Sequence, residues 1–196
     1  MRKLIVVGVN TDVGKTVVSA ILCEALNATY WKPVQCGHSR DTDWVNQMRT
    51  HSKFIPEAYR LKFPGSAHLA ARMEGISINE IACPLISDSL VIEGMGGILS
   101  PLSDEKNWID MAINWPAEWV LVNRHYLGSL NHFQLTIEAL KARSISLKGI
   151  VFNGEGDFQT EEMLLKKANV PCIGRLPWKK VIDRAFIQKQ AKEWLL

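Results

Sequence analysis

Short apolar runs recur along the chain: KLIVVG (3–8), ATYWKPV (28–34), SLVIEG (89–94), EWVLVN (118–123), LKGIVFN (147–153) and VPCIG (170–174). Near-continuous Val, Ile and Leu suit strands buried on both faces. Between the runs, segments 15–27, 129–142 and 159–168 place apolar residues at helical spacing. Strands alternating with helices predict βαβ units with right-handed crossovers. The expected fold is α/β, a three-layer sandwich with a mostly parallel central sheet flanked by helices. Ligands of such sheets bind beyond the carboxyl ends of the strands. The residues that follow each run are therefore the informative ones.

Composition narrows the picture without redirecting it. A chain of 196 residues, 47% hydrophobic and 22% charged, is expected to form one domain over 1–196 with a good core. The net charge of +3 is too small to imply nucleic acid binding. No apolar run is long enough to span a bilayer. Cys23, Cys36, Cys83 and Cys172 are scattered, with no C-x-x-C pair, which suits a reducing compartment. A cytoplasmic location is the expectation, with no nucleic acid and no membrane partner.

The first run leads into GVNTDVGKT (8–16) and then an amphipathic helix. Strand, loop and helix in this order are the context of a phosphate-binding loop, although the usual G-x-x-x-x-G-K-[ST] would put glycine at Val9. A helix start offers unpaired N–H groups and a positive dipole end. Gly14 lets the backbone approach phosphate, Lys15 reaches the terminal phosphates, and Thr16 is a candidate Mg²⁺ ligand.

Other polar residues fall on the same edge. Lys32 ends the second run, and Pro33 fixes the backbone that aims it. A second cation suits chemistry that builds charge on a transferring phosphoryl group. Asp41 and Asp43 precede a helical segment; either can cap it, and Asp43 is the preferred magnesium ligand. Glu93 closes a buried strand before GMGG, a costly place for a carboxylate unless it is paired or near a metal. Gly94, Met95 and Gly96 then allow close backbone approach. The Asn153 amide has the donor and acceptor to read an adenine edge, while Asn153-Gly154 is equally a turn dipeptide. Pro177 and Trp178 follow the last run on the ligand edge. The histidines have no metal spacing.

Together these pieces resemble the dethiobiotin synthetase family, from about residue 3 to about residue 178. GVNTDVGKT follows that family's longer loop, G-T-D-T-x-V-G-K-T. KPVQCG, VIEGMGGILSPLSD, LGSLNH, VFNG and GRLPW match five further motifs in order. The resemblance implies ATP-dependent closure of a cyclic urea from 7,8-diaminononanoate and CO₂, with Mg²⁺, through a carbamate and a carbamic–phosphoric anhydride. It implies catalytic roles for Lys15 and Lys32 and metal ligation by Thr16, Asp43 and Glu93. Nucleotide contacts would come from Asp12 through Val17 (with Val13), from Asp43, from Glu93 to Met95 and Gly96, and from Asn153, Gly154, Pro177 and Trp178. Substrate would meet Cys36, where the family usually has Ser or Thr. Gly128 and Asn131 would bind substrate across a homodimer interface. A competing expectation is a switch ATPase of the partition or cell-division type, but that class carries an extra lysine early in the loop, and residues 8–13 have none.

Overall fold

The computed structural model describes residues 1–194. Among them, a seven-stranded sheet runs in the order β4-β2-β6-β1-β7-β8-β9. Its strands are β1 (Lys3–Gly8), β2 (Thr29–Trp31), β4 (Phe54–Ile55), β6 (Leu90–Glu93), β7 (Glu118–Arg124), β8 (Leu147–Asn153) and β9 (Cys172–Leu176). Every pairing is parallel. The central residues Leu4 to Val7, Leu90 to Ile92 and Val120 to Val122 are fully buried or nearly so, as the continuous apolar runs require.

The helices are α1 (Lys15–Leu26), α2 (Asp41–Met48), α3 (Ala67–Glu74), α4 (Trp108–Ala112), α5 (Ser129–Lys141), α6 (Phe158–Ala168) and α7 (Arg184–Glu193). The first, α1, lies against β1, β2 and β6 and carries α2 and α7 on its other side; α5 packs on β7. It buries Val18, Ile21 and Leu22 in the core and ends on Asn27, a left-handed residue whose N–H bonds back to Cys23 and Glu24. The C-terminal segment docks onto the domain through Phe186, Ile187 and Gln190. No helix among the described residues is long and apolar enough to cross a membrane.

The run 28–34 is not one strand. After β2 the chain leaves the sheet at Lys32-Pro33 and pairs anew as β3 (Val34–Cys36) with β5 (Tyr59–Leu61) in a separate parallel pair. Proline has no N–H to continue a ladder, so the break falls there. From β1 the chain crosses to β2 on one side of the sheet, while β7, β8 and β9 extend the other side. The crevice at the carboxyl end of β1 is therefore the switch point where ligands of open α/β sheets sit.

Candidate active site

The loop after β1 folds into that crevice. Gly14 adopts φ 99°, and a Cβ there would lie 2.5 Å from the Asn153 amide nitrogen. Both the left-handed backbone and the close approach require glycine. The Asn153 Nδ2 donates to the Val13 carbonyl at 2.8 Å, tying the end of β8 to the loop. Among the described residues its Oδ1 takes no hydrogen bond, leaving it an acceptor. Asp12 is also left-handed, at φ 57°, and its carbonyl accepts from Arg124 at 3.2 Å.

Five side chains converge at the start of α1. Glu93, buried at the end of β6, accepts from Thr16 at 2.8 Å and from Lys32 at 2.9 Å, both on Oε1, and from the Tyr30 hydroxyl at 2.7 Å on Oε2. Lys32 also donates to Asp41. Burial pushes the Glu93 carboxyl up, but the Lys32 ammonium and the three donors more than reverse this and hold it below its ordinary value. Burial and the nearby Glu93 charge raise the Asp41 carboxyl, against the pull of Lys32. Burial works against the Lys32 cation, yet the two carboxylates raise its pKa overall. Lys15 donates to the Asn10 carbonyl at 3.0 Å, and burial lowers its pKa to about 8.

Of the two aspartates, the geometry brings Asp41 into the site rather than Asp43. The Asp43 side chain is 55% exposed and pairs with Arg40 at 3.0 Å, whereas that of Asp41 is 28% exposed and meets Lys32. Successive helical residues point about 100° apart, so only one of the two can face the loop. The Asp41 N–H donates to the Gln35 side chain at 3.2 Å, which sets the start of α2.

Two cavities flank the loop. One of about 740 Å³ is lined by Thr11, Asp12, Lys15, Thr16, Lys32, Gln35, Cys36, Asp41, Glu93, Met95, Gly96 and Ser100, with Pro64 to Ser66 at its far wall. Another, of about 380 Å³, is lined by Arg124, His125, Asn153, Gly154, Glu155, Pro177, Trp178, Lys179 and Ile182. Val17 borders both. Gly94 lines neither; its Cα faces the Trp108 ring, where a Cβ would come within 2.8 Å of the indole nitrogen. Its glycine is thus a packing requirement. Gly128 and Asn131, at the exposed start of α5, lie outside both cavities of this chain.

Sequence reasoning missed Tyr30, Gln35, Arg124 and His125. The alternation of β2 held a signal for Tyr30, since a residue two before Lys32 shares its face. Arg124 and His125 directly follow the run 118–123, which was their signal; their place in the second cavity depends on the end of β7 pairing with β8.

No group of three or more His, Cys, Asp or Glu converges among the described residues. A metal would be held by a mixed oxygen set. Thr16, Glu93 and Asp41 offer one hydroxyl and two carboxylates, hard donors that suit Mg²⁺ completed by phosphate oxygens. The Lys32 ammonium lies between those carboxylates, so the spot already accommodates a cation.

A left-handed glycine, a lysine and threonine opening a helix, and a strand-end acid on a parallel sheet define a phosphate-loop nucleotide-binding protein. The comparisons agree. The family model described as an AAA domain matches residues 2–185. A ParA family ATPase from Chlorobium tepidum superposes with a TM-score of 0.55 at 13% identity, covering 98% of each chain. The septum site-determining protein MinD from Pyrococcus horikoshii, in complex with Mg-ADP, gives 0.55 at 14% identity over 98% of this chain and 95% of that one. These two share the fold. In sequence the chain is 41% identical to the ATP-dependent dethiobiotin synthetase BioD of Chlamydia pneumoniae, over 99% of this chain and 90% of the relative. It is 43% identical to the protein of that name from Rhodopseudomonas palustris strain HaA2, over 90% and 85%. The chain belongs to the ATP-dependent dethiobiotin synthetase family.

Proposed function

We propose that this protein is a dethiobiotin synthase, an ATP-dependent cyclo-ligase of biotin biosynthesis that closes the ureido ring from 7,8-diaminononanoate and CO₂. The observation that carries the reading is the cluster in which Lys32 bridges Glu93 and Asp41 beside the phosphate loop, on the wall of a cavity large enough for a second substrate. A hydrolytic switch has no need of such a compartment.

The triphosphate lies along the α1 N-terminus, where backbone N–H groups and the helix dipole favour anions. Its base enters the second cavity, against Trp178 and Pro177, with Asn153 Oδ1 accepting from an exocyclic amine. The diamine occupies the larger cavity, near Cys36 and Met95. One amine takes up CO₂ as a carbamate. A carbamate oxygen attacks the γ-phosphorus and ADP leaves. The second amine then attacks the mixed anhydride carbon, closing the ring and expelling phosphate. Lys15 and Lys32 neutralise charge on the carbamate and phosphoryl oxygens. Thr16, Glu93 and Asp41 would hold Mg²⁺, which when bound supplies further positive charge at the phosphates.

A homodimer completes the proposal. Leu99, Leu127, Leu130 and Leu135 are exposed around the start of α5, an apolar area that a second copy would cover. Gly128 and Asn131 would then present N–H donors to the carboxylate of a substrate held in the partner subunit.

The test is incorporation of labelled bicarbonate into a cyclic urea, dependent on ATP, Mg²⁺ and the diamine. ATP hydrolysis stimulated by a protein or lipid partner, with no incorporation, would give the site to the switch class instead.

A further inference from the structure

Glu93 is gripped from a second side by a group that lines neither cavity. Tyr30 is fully buried in β2, and its hydroxyl donates to Glu93 Oε2 at 2.7 Å. Thr16 and Lys32 both donate to the other oxygen, Oε1. Sheet register explains how one phenol reaches the acid. Tyr30 lies beside Val91 across the β2–β6 pairing, and Glu93 is two residues further along the same face. Lys32 follows Tyr30 by two as well, so one face of the β2 segment supplies a donor to each carboxylate oxygen.

The two oxygens have different work. Oε1 looks toward the loop; Oε2 looks into the core. A carboxylate held by a single oxygen swivels about its last torsion, a broad and soft one. The phenol is packed among core residues and stops that rotation. We infer that Tyr30 is a positioning residue, whose hydroxyl fixes the Glu93 carboxylate so that Oε1 faces Thr16, Lys32 and the divalent cation of the proposed reaction. The assignment rests on the proposed function only for the presence of that cation. The residues that orient a metal's ligands affect its affinity by about 10–100-fold when removed.

The experiment uses Tyr30→Phe in the full chain, which keeps the ring and loses one oxygen. Mn²⁺ is titrated in the presence of ADP and followed by electron paramagnetic resonance. The variant should bind Mn²⁺ about tenfold more weakly, with ADP affinity in excess chelator unchanged, a split that a loss of core packing would not produce. In a Glu93→Gln background the same substitution should add nothing, since the two act as a unit. Equal Mn²⁺ affinity in wild type and Tyr30→Phe would overturn the assignment alone, as would an equal loss in both backgrounds. Wild-type protein that took up no Mn²⁺ with ADP would overturn the reading of the site, and the assignment with it.

Discussion

The two ends of the proposed nucleotide site are built differently. At the phosphate end, Lys15, Lys32 and Glu93 are buried, and each polar group has a partner within the cluster or loop. At the base end, Trp178 is 69% exposed, and Pro177, Lys179 and Glu155 are also exposed. Strand ends and a helix start hold the first; loops after β7, β8 and β9 hold the second. Charge chemistry needs fixed dipoles and little water. Base recognition needs only shape and one or two hydrogen bonds. Replacing Lys32 in the charge cluster should therefore act on rate, and substitutions at the base end on nucleotide affinity.

The largest effect is expected at Lys32. Lys32→Ala should cut ring formation by roughly 10²–10³-fold or more while ATP still binds. Bicarbonate incorporation and equilibrium nucleotide binding measure the two halves, and unchanged turnover would remove Lys32 from the chemistry. Next comes Gly14→Ala, which forces a left-handed alanine against the Asn153 amide. The backbone alone costs about 1–2 kcal/mol, so a lowered melting temperature and weak nucleotide binding should appear together. A tolerated alanine would mean that the loop and β8 are not tied as described.

Lys15 gives the pH test. Its pKa of about 8 in the free protein lies below the ordinary 10.5 because burial disfavours the cation. An arriving phosphate favours the cation and moves the pKa back up. Nucleotide binding should then take up a proton between about pH 8 and 10, and affinity should fall as pH rises through that window. Calorimetry in buffers of different ionisation enthalpy reads the proton directly; no uptake at pH 9 would contradict the lowered value. The smallest effects belong to the base end. Asn153→Ala should weaken nucleotide binding and blur discrimination between bases, and Trp178→Ala should do so by only a few-fold. If Trp178→Ala slowed turnover as much as Lys32→Ala, the two ends would not be separable.

The same contrast governs what the sequence could reveal. The sheet's apolar runs stand out because burial on both faces leaves little choice of residue, and Gly14, Lys15, Thr16, Lys32 and Glu93 stand out because they punctuate those runs. The short strands β3, β4 and β5 have two or three residues each, too few to carry a period. Asp41 and Asp43 have the same chemistry, and only the phase of α2 separates them. Arg124 and His125 follow the run 118–123, but what brings them to the second cavity is pairing with residues far along the chain, which no local pattern records.

Val17 borders both cavities. In the language of inhibitor design, one residue touches two compartments of unlike character, one lined by the Lys32–Glu93–Asp41 cluster, the other partly aromatic through Trp178. Fragments that bind each weakly could be joined by a short linker running past that side chain, and the second contact would then form at an effective concentration in the millimolar range. Such a compound would owe its selectivity to the larger cavity, whose lining sets Cys36 beside the Lys32 cluster.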